Sequence, residues 1–242
     1  MKKIAILYSL FFLNISLGKN SSSYLTDLVT DGSIIVKTAG INTVSLLLIK
    51  NKKTLTEAKL EQLNSNNIWF VDRSSAGNYN KETSAKSDIP LYASLAVPFL
   101  FTLNKNTREY ARQLSVMYVE AVGLSLVTFT MTSALVEKSR SKVYNTNLSW
   151  DQRLESNKKH SFFSGHVATA TAYTFFAAQV YPDFYPNSKA KPYIWLGAAI
   201  LPAAVGFYRV KGRNHFLSDA IVGYIIGATS GILVPKLHKK TI

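Results

Sequence analysis

The chain has no cysteine among its 242 residues, which excludes a disulfide framework and any thiolate metal site. Histidine is scarce, with four residues, and acidic side chains are few, with 14 Asp and Glu against 28 Lys and Arg. No carboxylate cluster suited to a pair of metal ions is visible, so two-metal hydrolysis has no candidate ligands. There is no internal repeat, so a solenoid or propeller is excluded. There is also no basic amphipathic helix. The net charge of +14 sits in short stretches between apolar segments, which leaves no surface for a nucleic acid partner. That excess fits a solvated surface, anionic lipid or phosphate substrates instead.

What is present is a series of apolar stretches. They run Ser33–Ile49, Ile89–Leu103, Leu114–Val136, His166–Tyr181, Tyr193–Tyr208 and Leu217–Val234. Several have only about 16–18 residues, near the lower limit for crossing a bilayer. They are rich in small residues that let helices approach closely. Gly223, Gly227 and Gly231 recur every four residues and so share one helix stripe, which reads as packing without chemistry. Mean hydropathy is only +0.06, diluted by polar loops; a soluble helical domain is the competing reading. The pattern predicts an all-α, membrane-embedded bundle of about six helices.

The first 18 residues carry Lys2 and Lys3, the short apolar run Ile4–Leu13, and small residues at Ser16 and Gly18. They read as a signal peptide cut after Gly18, or as an uncleaved anchor. Residues 19–88 form a helical and loop region, with helical spacing over Thr54–Leu63 and a polar loop over Asn64–Asp88. Residues 89–242 form the bundle. Lys105, Arg108 and Arg112, then Lys189 and Lys191, then Lys236, Lys239 and Lys240 fall on one side of an alternating bundle. The positive-inside rule makes that side cytoplasmic. Arg140, His166, Arg209 and His215 then lie on the external side. The loop 137–165 is itself basic, which a phosphate site would explain.

Three short elements on that side fit together. Arg140 lies in EKSRSK, Ser164, Gly165 and His166 close SFFSGH, and Arg209, His215 and Asp219 lie in YRVKGRNHFLSD. Two arginines, two histidines and one aspartate suit phosphoryl transfer through a histidine without a metal. Ser164 is placed to cap a helix whose N-terminus favours an anion. His215 opens the last helix, and Asp219 sits one turn on, placed to hold one imidazole nitrogen. Taken singly, each residue has a plain structural reading: a cap, a packing Asp, or a snorkelling Arg.

The order and spacing resemble the signature of the type 2 phosphatidic acid phosphatase and vanadium haloperoxidase superfamily, over about the last 110 residues. The resemblance implies a four-helix core around the site and no metal or other cofactor. It implies His215 as the nucleophile that becomes a phosphohistidine, Asp219 as its orienting partner and His166 as the general acid. Arg140, Ser164, Gly165 and Arg209 would cradle the phosphate, and vanadate would inhibit by occupying the same cradle. Four motif positions depart: Ser133 stands for Lys, Ser141 and Phe163 each stand for Pro, and Tyr208 stands for Ser. Lys138 and Lys142 are candidates to replace the missing Lys. VYN at 143–145 and the loop before His166 are similar to envelope members from Gram-negative bacteria.

The resulting expectation is a lipid phosphate or diphosphate phosphatase in a bacterial inner membrane, with its site facing the periplasm and a lipid phosphate as its partner. A phosphotransferase with the same site, and a degenerate protein that binds anionic lipid, are the alternatives.

Overall fold

A computed structural model describes residues 23–53, 55–77, 79–155, 161–212 and 215–240. The signal or anchor segment lies outside the described residues. The described residues form helices joined by turns and loops, with no strand and one isolated bridge between Tyr24 and Lys239. Six helices form the bundle: α1 (Leu28–Lys50), α2 (Asp88–Ala96), α3 (Ala111–Leu135), α4 (Gly165–Phe184), α5 (Lys191–Lys211) and α6 (Leu217–Leu237). The expected all-α bundle is therefore present.

α4 is the central element and packs against α2, α3, α5 and α6. Four helices, α1, α3, α5 and α6, are long and apolar enough to cross a membrane. α4 needs less hydropathy because its neighbours cover it. Its buried face is rich in alanine and threonine, with Val167, Tyr173, Phe176 and Val180 among them. Thr169, Thr171 and Thr174 return their hydroxyls to carbonyls one turn back, so no polar group is left unsatisfied there. α1 packs on α3 and presents Val36, Val44, Leu46, Leu47 and Leu48 outward, as a lipid-facing helix does.

The glycine stripe of α6 sits where α6 meets α4. A Cβ on Gly223 would stand 2.5 Å from the Ser164 carbonyl oxygen, and one on Gly227 would stand 2.1 Å from the Ala168 carbonyl oxygen. Backbone touches backbone there, and only glycine allows it.

Two apolar expectations are modified. The stretch 89–103 is not one helix: α2 passes into a 3-10 turn at Val97–Phe99 and a further short helix at Leu100–Leu103. Pro98 interrupts the hydrogen-bond ladder. The segment 64–88 is not simply a loop, since it folds into Ser65–Asn67, Phe70–Arg73 and Lys81–Lys86. The helix expected over 54–63 shortens to Glu57–Glu61.

The bundle has two chemically distinct ends. At one, Tyr24 and Lys239 both bond Asp183, and Tyr110 meets Phe184. At the other, Ser161 bonds Lys138, Gly77 bonds Ser141, and Leu217 bonds Ser75. All the residues singled out for chemistry belong to the second end.

Candidate active site

The site is built where α6 begins. The helix starts at Leu217, with Phe216 at the N-cap, so His215 precedes it instead of opening it. A phenylalanine has no oxygen with which to cap. The free N–H groups are taken by the distant 64–88 segment: Ser218 donates its N–H to Asp72 Oδ1 at 2.8 Å, and Leu217 donates to Ser75 Oγ at 3.2 Å. Asp219 reaches back to the Phe216 N–H at 3.0 Å. The helix is thus capped from two sides, and His215 is delivered at a fixed point beside it.

His215 is buried. Its Nδ1 lies 2.8 Å from the Ser161 carbonyl oxygen. A carbonyl can only accept, so Nδ1 carries the proton and Nε2 keeps its lone pair. The sequence reading gave this orienting role to Asp219. Asp219 Oδ2 lies 3.6 Å from Nδ1, beyond hydrogen-bond length. That oxygen is taken by Ser161 Oγ at 2.5 Å and by the Phe216 N–H. Asp219 therefore acts on His215 as a nearby negative charge and through Ser161, which bonds both. Burial pushes the His215 pKa down to about 4; Asp219 opposes the shift, and Arg209 and Arg140 add to it.

Lys138 is also placed differently from the phosphate contact suggested by sequence. Its Nζ donates to Asp219 Oδ1 at 2.7 Å, Asp72 Oδ2 at 2.9 Å and Ser218 Oγ at 2.9 Å. It balances two buried carboxylates, whose charge would otherwise be costly at this depth. Lys142 lies in the 3-10 turn Ser141–Tyr144. Neither lysine is among the charges that act on His166 or His215. At the vacated Lys position, Ser133 is fully buried and donates to the Phe162 carbonyl at 3.2 Å. Lys52, at the end of α1, brings an ammonium to the Ser133 carbonyl at 2.8 Å and the Val136 carbonyl at 2.6 Å.

Opposite His215 stands the N-terminus of α4. Ser164 occupies the N-cap position, yet its side chain makes no capping bond. Its Oγ is buried without a hydrogen-bond partner, and so is Nε of Arg209. Buried polar atoms without partners are rare; two of them at this end of the bundle suit an anion. The Ser164 N–H meanwhile bonds the Asp219 carbonyl at 3.0 Å, tying α4 to α6. Gly165 is required for a reason the motif did not show, because a Cβ there would meet the Phe129 ring at 2.9 Å. His166 lies within electrostatic reach of Arg209, His215 and Arg140, and Arg209 within reach of Arg140. Arg140, Ser164, His166, Arg209, His215 and Asp219 are thus brought to one end of the bundle.

The residues that sequence reasoning missed are Asp72, Ser75, Ser161 and Ser218. Asp72 had one usable signal, as an acid directly after the apolar run Ile68–Val71. The PAP2 superfamily model matches residues 116–242, which include every element of this site except the Asp72 segment. The chain belongs to the PAP2 superfamily. No curated protein matches the chain. Among solved structures, it is similar to "the first transmembrane PAP2 type phosphatidylglycerolphosphate phosphatase from Bacillus subtilis". That likeness has 16% identity and a TM-score of 0.52, and covers 83% of this chain and 95% of the other. It supports the PAP2 bundle as the fold.

Proposed function

We propose that the chain hydrolyses lipid phosphates or lipid diphosphates through a phosphohistidine on His215, on the periplasmic side of a bacterial inner membrane. The observation that carries this reading is the His215 Nδ1 bond to the Ser161 carbonyl. It leaves a neutral imidazole with a free Nε2 at the pH of the cell envelope, beside two arginines and a helix N-terminus. Membership of a superfamily typified by phosphatidic acid phosphatases, and a fold shared with a phosphatidylglycerolphosphate phosphatase, support the substrate class.

Nε2 of His215 attacks phosphorus, and the bond from phosphorus to the lipid oxygen breaks. His166, carrying a proton favoured by the incoming phosphate charge, gives it to the departing oxygen. Arg140, Arg209, Ser164 Oγ and the first N–H groups of α4 receive the charge on the equatorial oxygens. The cationic phosphohistidine is stabilised by Asp219 at 3.6 Å. His166, now neutral, takes a proton from water. That water attacks phosphorus, inorganic phosphate leaves, and both histidines return to their starting states.

The test is phosphate release by the detergent-solubilised protein from a panel of lipid phosphates in EDTA. Turnover that orthovanadate inhibits is expected, with an acid-labile phosphoenzyme trapped on His215. Activity abolished by EDTA and restored by Mg²⁺ would sink the mechanism.

A further inference from the structure

At the end of the bundle opposite the phosphate site, three side chains from three helices meet. Asp31 comes from the first turn of α1, Glu120 from α3, and His238 from the C-cap of α6. His238 Nε2 lies 3.3 Å from Asp31 Oδ1 and 3.3 Å from Glu120 Oε2. Among the described residues this is the one group of three ligating side chains whose ligand atoms all lie within 4.8 Å of one another. Asp31 and Glu120 are buried, at 5% and 3% exposure.

Two buried carboxylates and one imidazole need a positive charge at their centre. His238 Nδ1 lies 2.9 Å from the Val234 carbonyl oxygen, so that nitrogen carries the proton. Nε2 faces the two carboxylate oxygens, so either a second proton on that nitrogen or a cation bound to its lone pair must stand between them. No Lys or Arg figures among the charges that act on Glu120, which are the positive charge of a protonated His238 and the negative charge of Asp31. Lys239 is nearby but is bonded to Asp183. The second oxygen of Glu120, Oε1, is buried with no hydrogen-bond partner. A buried carboxylate in that state is expensive without a cation.

We propose that Asp31, Glu120 and His238 hold a first-row divalent cation, with Zn²⁺ the best fit. Ligands about 2.1 Å from a tetrahedral zinc stand about 3.4 Å apart, close to both separations from Nε2. One nitrogen and two carboxylate oxygens are a donor set that zinc accepts. The supporting bonds are in place: the Val234 carbonyl fixes the His238 tautomer, and the Asp27 N–H holds Asp31 Oδ2 at 2.7 Å. A cavity of about 630 Å³, lined in part by Asp27, Asp31, Glu120 and His238, gives an ion and a fourth, water ligand a way in. The ion clips α1 to α3 and α6. It takes no part in the proposed hydrolysis, which lies at the other end.

The test uses the full chain, purified in detergent, stripped with a strong chelator and reloaded with ZnCl₂ alone. One retained zinc per chain is expected by elemental analysis, with a rise of several degrees in Tm. Mg²⁺, which prefers oxygen ligands and near-octahedral geometry, gives neither. His238→Ala and Glu120→Gln lose both responses while remaining monodisperse and helical. His215→Asn keeps both, which separates this site from the histidines of the phosphate site. Less than about one zinc for every five chains, or a Tm response that survives His238→Ala and Glu120→Gln, overturns the proposal. If a variant fails to fold, the stoichiometry of the unmodified protein still decides. A chain without zinc means that a proton shared among the three groups fills the role.

Discussion

At the scale of single residues, the proposed nucleophile His215 and its setting make claims that can be separated. His215 has a folded pKa of about 4 because it is buried, against about 6.5 in an unfolded chain. Between those values the unfolded state binds more protons, so stability rises with pH across that window. The contribution is complete above about pH 6.5 and is lost as pH falls through 4. Thermal denaturation from pH 7 to pH 4 should show Tm falling, and His215→Asn should flatten that fall. The same Asn variant should abolish phosphate release while substrate still binds through Arg140 and Arg209. Lys138 gives a second test. Lys138→Met leaves Asp72 and Asp219 buried without their cation, at a cost near the lower end of about 3–5 kcal/mol, since its side chain is 26% exposed. Because it touches Asp219 and not the cradle, kcat should fall with KM nearly unchanged. Arg140→Ala should raise KM and cut the rate by about 10²–10³. Matching profiles for the two variants would return Lys138 to the phosphate. The sequence showed both histidines and both arginines because motif chemistry demands those residue types at those spacings. It did not show Ser161 as the partner of His215, because a backbone carbonyl leaves no trace in side-chain identity.

At the scale of elements, the α4–α6 contact positions the chemistry. Ser164 and His166 open α4, Asp219 lies in the first turn of α6, and the glycine stripe lets the two backbones touch. Gly227→Ala places a methyl 2.1 Å from the Ala168 carbonyl oxygen and must push the helices apart. A loss of at least about 1–3 kcal/mol is expected, together with lost activity as Ser164 moves from His215. Gly197→Ala in α5 is the control, since nothing lies within 4 Å of its added carbon. It should be neutral or slightly stabilising. Denaturation midpoints of the two variants decide the matter, and equal midpoints would remove the packing argument. The stripe was legible in the sequence because a period of four is a helix face. The capping of α6 by Asp72 and Ser75 was not. Those residues stand more than 140 positions away in a polar segment whose composition reads as loop, and only the fold brings them to Ser218 and Leu217. The break at Pro98 was written in the sequence, but the apolar pattern around it masked the interruption.

At the scale of the whole molecule, the open question is which end of the bundle faces outward. The segments 104–110 and 184–191 and the end of α6 share one end, and with them lie Lys105, Arg108, Lys189, Lys191, Lys236 and Lys239. The opposite end holds the phosphate site and is also basic, through Lys52, Lys138, Arg140, Lys142 and Arg209. Charge alone therefore weighs the two ends unevenly but does not oppose them. The proposed site accounts for the second group: Lys138 neutralises carboxylates, Lys52 closes helix carbonyls, and the arginines are the proposed phosphate contacts. With those set aside, the positive-inside rule supports the proposed orientation, with the 104–110 end in the cytoplasm and the phosphate site outside. Because the chain lacks cysteine, single introduced thiols report topology without background. Asn147→Cys sits exposed at the site end, and Asn187→Cys sits exposed at the other. In intact spheroplasts, a membrane-impermeant maleimide should label Asn147→Cys at once and Asn187→Cys only after lysis. The reverse pattern would put the phosphate site in the cytoplasm, and the substrate would then be a lipid phosphate presented on the inner leaflet.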